Sequence, residues 1–194
     1  MAKINRKGKA AILTDGEYSK IRRQIRTEKY QLLLDLAWFT GERWGALVQV
    51  KVSDVYAEPG KPKEDIVFPG IIRKHRPDGS SDTTEIPVHA ILKESLERYK
   101  PQTNSEWLFP SRCGTKPITW RNARNIFIAA SNNAGFEVKG ISTHSTRRSM
   151  INKLRKNGIA KEIIRSFTGH RDNKGLEPYF EIEMDERRAA IATL

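Results

Sequence analysis

Apolar positions recur at helical spacing over most of this chain and read as strands over one short interval, so the pattern predicts an α+β fold that is mainly α. Thr14-Asp15-Gly16-Glu17 has the form of a capping box, in which a hydroxyl and a carboxylate three residues apart satisfy each other's backbone N–H groups. It opens a helix running to about Arg26. From Glu28 to Phe39 the chain is apolar nearly all round, as a central helix requires, and a short helix from Trp44 to about Val50 follows with Leu47 and Val48 inward. Ser53-Asp54-Val55 then reads as a turn. Three strand candidates come next: Val55 to Ala57, Asp65 to Ile72 and Thr83 to Val88. A Pro-Gly-Lys-Pro loop at 59–62 and a Pro-Asp-Gly turn at 77–79 separate them, which predicts a small three-stranded antiparallel sheet.

Helical periodicity returns over Ala90 to Tyr99 and breaks at Pro101. Trp107-Leu108-Phe109-Pro110 reads as a buried extended anchor. Thr119 then caps a helix through Ala134, with Ile126, Phe127 and Ala130 inward and Arg121 and Arg124 outward, where the two arginines can track phosphates. Two short amphipathic helices follow. Met150, Ile151 and Leu154 form the stripe of the first, which Gly158 stops, and Ile159, Ile163, Ile164 and Phe167 form the stripe of the second. A short helix after Met184 ends the chain.

Composition narrows the partner. The 194 residues suit one domain, expected over 14–194 behind a basic arm over 1–13 that carries Lys3, Arg6, Lys7 and Lys9. Lys and Arg outnumber Asp and Glu by 35 to 23, and the resulting +12 favours a polyanion such as nucleic acid. The single Cys113 excludes an internal disulfide. No signal peptide or long apolar run is visible, so the expected location is cytoplasmic and nucleoid-associated, with no membrane partner. The four histidines are scattered and come with no Cys-x-x-Cys, His-Glu-x-x-His or acidic cluster, so neither a metal nor another cofactor is expected.

The candidate chemistry is concentrated between Thr143 and Phe180. His144 and Arg147 lie three apart and share a helix face, where they can converge on one small anion. Thr168-Gly169-His170 hands a second histidine to a turn, and Tyr179 follows nine positions later. Upstream stand Thr40-Gly41-Glu42-Arg43 and, on the hairpin, Arg73-Lys74-His75-Arg76. This order resembles the catalytic half of the tyrosine recombinases, or phage-type integrases. The resemblance covers roughly residues 14–194 and implies their helical catalytic domain, without the separate core-binding domain that most relatives place before it.

What the resemblance implies is a site-specific recombinase that cleaves and rejoins double-stranded DNA through a 3′-phosphotyrosine. Arg43 and Arg147 would clamp the nonbridging phosphate oxygens, because a guanidinium fork binds them two at a time and keeps its charge. Tyr179 would be the nucleophile, assisted by His144, and His170 would bond a nonbridging oxygen or steady the tyrosine. Lys74 would protonate the departing 5′ oxygen. Arg73 and Arg76 beside it, with Arg121 and Arg124, are the candidate DNA contacts. The chain is expected to be a monomer that forms a tetramer on paired sites. Competing readings are a type IB topoisomerase and a DNA-binding accessory factor without catalysis; His170 and the step to Tyr179 favour the recombinase. Two departures stand out: the family's glutamate three residues after its first arginine is Ala46, and the leucine within His-x-x-Arg is Thr146.

Overall fold

A computed structural model describes residues 8–73, 79–102, 104–170, 175–180 and 184–194. The first helix, α1 (Asp15–Gln24), carries the capping box in full: Thr14 Oγ1 accepts the Glu17 N–H, and Glu17 Oε2 accepts the Thr14 N–H at 2.9 Å. It stops short of Arg26 because Ile25 turns extended and buries its side chain. Helix α2 (Glu28–Thr40) is the central element, with Leu32, Leu33, Leu34, Leu36 and Ala37 all removed from solvent. Gly41 ends it in the left-handed region at φ 62°, and a side chain there would also run into Met150. The chain is thereby turned sharply, so that Glu42 points inward and Arg43 leads into the one-turn helix α3 (Trp44–Leu47).

The expected turn at Ser53 is instead a second one-turn helix, α4 (Val52–Val55), which starts where Asp54 accepts the Lys51 N–H at 2.8 Å. The fold class is α+β and mainly α, but the strands form two separate antiparallel pairs rather than one three-stranded sheet. Strand β1 (Tyr56–Glu58) pairs with β2 (Lys61–Pro62), and β3 (Asp65–Phe68) pairs with β4 (Thr84–Pro87) in the register Asp65↔Pro87 to Phe68↔Thr84. Two prolines explain the difference. Pro62 has no N–H with which to continue a ladder from β2, and Pro69 stops β3 four residues before Ile72, diverting 70–72 into a 3₁₀ turn.

Helix α5 (Ala90–Arg98) is capped by His89 Nδ1, and α6 (Trp120–Asn133) by Thr119 Oγ1. Helices α7 (His144–Lys156), α8 (Lys161–Thr168) and α9 (Met184–Ile191) complete the order. The main core lies where α2 packs on α5 and α7 and α1 packs on α6. A smaller cluster, Ile151, Ile164 and Leu176 with Met150, Tyr179 and Phe180 against it, joins α7 and α8 to the segment that carries the tyrosine. Within the α8 stripe, Ile164 is buried while Ile163 is half exposed, because the short helix offers only a narrow face to α7. Of the arm expected over 1–13, residues 8–13 lie along the domain. Ala11 and Leu13 are buried, the Ala11 N–H bonds the Gly140 carbonyl, and Leu13 donates to Ser149 Oγ at 2.7 Å. Apolar groups at 11 and 13 are what hold it there.

Candidate active site

Three chain turns bring charge to one cleft. The Gly41 turn delivers Arg43 at the start of α3, the N-terminus of α7 delivers His144 and, one turn later, Arg147, and the 3₁₀ turn after β3 delivers Arg73. The cleft, about 360 Å³, is lined by Arg43, Arg73, His144 and Arg147 together with Trp44, Trp120 and neighbouring small side chains. His144 also lines a second cleft of about 240 Å³, whose wall includes Lys9, Arg148 and Tyr179. One imidazole therefore joins the arginine cleft to the tyrosine.

Arg147 is almost wholly buried, and two main-chain carbonyls fix its guanidinium. Nη1 donates to the Gly41 carbonyl at 3.0 Å and Nη2 to the Thr168 carbonyl. The ends of α2 and α8 thus hold the fork, an arrangement of neutral acceptors that leaves the charge uncancelled. Burial pushes its pKa down to about 10, and the charge on Arg43 pushes the same way, while Glu42 and Tyr179 oppose the drop. The Thr168 side chain turns the other way and shares a 2.7 Å hydrogen bond with His170 Nδ1. The His170 and Tyr179 rings lie 5.7 Å apart, with Tyr179 presented on a short 3₁₀ turn whose N–H bonds the Leu176 carbonyl at 2.8 Å. Thr146 accepts the Trp44 indole N–H at 3.2 Å, so the polar residue inside His-x-x-Arg ties α3 to α7.

Of the residues singled out in the sequence, Arg43, His144 and Arg147 line one cleft, and His170 and Tyr179 adjoin each other beside it. Lys74 and Arg76 lie outside the described residues. Arg121 is exposed and Arg124 half exposed, with its Nη1 near Asn125 Oδ1. Arg73 lines the same cleft as Arg43 and Arg147, but it is 7% exposed and pairs with Glu42, because the 3₁₀ turn points it into the domain. Sequence reasoning missed Glu42, Trp120 and Thr168. A glutamate next to the turn that ends an apolar helix was the available signal for the first. Among the described residues no group of three or more His, Cys, Asp or Glu could hold a metal ion, and no helix is long and apolar enough to cross a membrane.

Comparison with known proteins places this geometry. The chain matches the phage integrase family over residues 12–186, nearly its whole length, and belongs to that family. The tyrosine recombinase XerD of Rickettsia bellii is 22% identical over 165 residues, which cover 82% of this chain and 53% of that protein. The XerD of Caulobacter vibrioides is 26% identical over 141 residues, covering 72% of this chain and 45% of that protein. The chain thus spans about half the length of the curated relatives it matches. Among solved structures, the XerA recombinase superposes with a TM-score of 0.75 at 16% identity, over 96% of this chain and 66% of that one. The XerH site-specific recombinase bound to its difH substrate gives 0.69 at 19% identity, over 97% of this chain and 55% of that one.

Proposed function

We propose that this chain cleaves and rejoins double-stranded DNA at specific sites through a 3′-phosphotyrosine. The observation that carries the reading is the pairing of a cleft lined by three arginines with a tyrosine beside it, joined by His144. A phosphodiester entering that cleft would place its nonbridging oxygens on Arg43 and Arg147, and the charge that builds on them during attack meets groups already held in place. The Tyr179 oxygen attacks phosphorus, forming the Tyr–O–P bond as the P–O5′ bond breaks. His144 assists removal of the phenol proton, and Lys74 supplies the proton that the departing 5′ oxygen takes up. His170, held by Thr168, steadies the tyrosine. One phosphodiester replaces another, so attack by a 5′ hydroxyl from a second strand reverses the sequence without a nucleotide, and no step calls on a metal.

Exchange between two duplexes needs four such sites, and helix α9 supports assembly into a tetramer. Met184 and Ile191 are more than half exposed there, an apolar edge suited to a neighbouring copy. The direct test uses DNA nicked near the cleavage site, so that the short fragment carrying the freed 5′ hydroxyl diffuses away and the covalent adduct accumulates. Denaturing gels should show the adduct for the wild type and none for Tyr179→Phe, with DNA affinity unchanged within a few fold because one hydroxyl carries little binding. An adduct with the Phe variant would mean another nucleophile. Relaxation of supercoils without exchange between two marked sites would instead favour the topoisomerase reading.

A further inference from the structure

Glu42 is 1% exposed and its two oxygens do different work. Oε1 accepts the N–H of Arg43, the next residue, at 2.7 Å, so the carboxylate folds back over the backbone from which the Arg43 side chain enters the cleft. Oε2 takes Arg73, at 3.0 Å from Nε and 2.8 Å from Nη2, the latter an ionic contact outside hydrogen-bond angles. Arg73 in turn donates from Nη1 to the Asp82 carbonyl at 3.1 Å and to Thr84 Oγ1 at the start of β4. Its guanidinium also lies against Gly169: a Cβ on that glycine, whose φ is 65°, would sit 2.8 Å from Nη2 and 3.2 Å from Nη1. Gly169 separates Thr168, whose carbonyl holds Arg147, from His170, whose ring bonds the Thr168 hydroxyl.

We propose that the Glu42–Arg73 pair is a positioning device for strand cleavage, which sets the backbone of Arg43 and braces the Thr168–His170 turn through one buried contact. The proposal rests on the cleavage reading above. Stability alone is a poor reason for such a pair, because two buried charges lose their hydration and apolar residues of similar volume commonly serve as well or better. Placement is the better reason. Ala46, in the turn after Arg43, offers no carboxylate, and Glu42 bonds the Arg43 main chain from the other side. The charges of Arg43 and Arg73 both act against the Arg147 guanidinium, and the Glu42 carboxylate opposes them. Without Glu42, Arg43 would lose the acceptor of its N–H, and Arg147 would meet the charges of Arg43 and Arg73 undamped. Neither Glu42 nor Arg73 is assigned a contact with the reacting atoms.

Three variants separate positioning from simple support of the fold: Glu42→Leu, Glu42→Gln, and the double variant Glu42→Leu with Arg73→Met, which leaves no orphaned buried charge. Each is measured for melting temperature, DNA affinity and single-turnover cleavage of nicked DNA at saturation. Cleavage is measured on an ordinary scissile phosphate and on a methylphosphonate, which lacks one nonbridging charge. The double variant should melt near the wild type, bind DNA within about threefold of it, and still cleave the phosphate about tenfold or more slower, the scale of losing an orienting partner. Glu42→Gln should fall between, since its carbonyl still accepts the Arg43 N–H. The defects should shrink on the methylphosphonate, where a displaced Arg43 has less charge to meet. Wild-type cleavage by the double variant, or equal defects on both substrates, overturns the proposal. No adduct from the wild type overturns the cleavage reading and this one together, whereas adduct from the wild type confines any failure to the pair.

Discussion

Sulfate should stabilise this chain well beyond the effect of ionic strength, and Arg43→Ala should remove most of the gain. Arg147 is the reason. Its pKa falls well below the ordinary arginine value, to about 10, first by burial and then by the neighbouring Arg43. For a cation, a lowered folded pKa means that the unfolded chain holds its proton more tightly, so folding is opposed at every pH below about 10, and the opposition fades only as the pH rises from there towards the ordinary arginine value. The drop corresponds to an opposing free energy on the order of 3 kcal/mol. Desolvation is the larger cause and sulfate does not undo it, so the recoverable part is the repulsion from Arg43 and Arg73. A dianion at ten times its Kd stabilises by about 1.4 kcal/mol. For a chain of this size that raises the melting temperature by roughly 3–6 °C. Thermal melts at pH 7 in sodium sulfate, set against sodium chloride of equal ionic strength, measure it. Sulfate also stabilises proteins generally by exclusion from their surfaces, so the deciding number is the difference between the wild type and Arg43→Ala. An equal rise in both, or none in either, would refute the account of a charge-frustrated cleft.

Lys74→Ala should slow cleavage of an ordinary substrate strongly, yet matter little when sulfur replaces the 5′ bridging oxygen, because a thiolate departs without a proton; equal losses on the two substrates would remove Lys74 from the general-acid role. Light scattering should find a monomer without DNA and a tetramer on two paired sites. Deleting residues 185–194 should impair recombination more than single-site binding, and a tetramer in the absence of DNA would count against the picture.

Much of the helical framework could be read from the chain because its causes are local. The capping box at Thr14 and Glu17, the all-round apolar run of α2 and the hydroxyl cap at Thr119 each act within a turn of the residues that reveal them. The order of candidate site residues was legible for a related reason: His144 and Arg147 share a face by helical spacing alone, and Gly41 needs only its own backbone to turn Arg43. Hairpin pairing was less legible. Periodicity predicts extended chain over Asp65 to Ile72, but only the missing N–H of Pro69 and the lie of the chain beyond it decide where the ladder stops.

The charges are where tertiary structure took over. Nothing near Arg73 in the sequence distinguishes it from a solvated hairpin arginine, since its carboxylate partner lies 31 residues away. The position of Glu42 beside the turn that ends an apolar helix marks it out locally, but does not say which cation it will meet. The same holds for Arg147: its spacing from His144 is a local fact, but the carbonyls of Gly41 and Thr168 that grip it are 106 and 21 residues distant. Local patterns report which way a side chain leaves its own helix or strand. What a buried charge meets there depends on the path of every other element, and that is settled only when the helices pack.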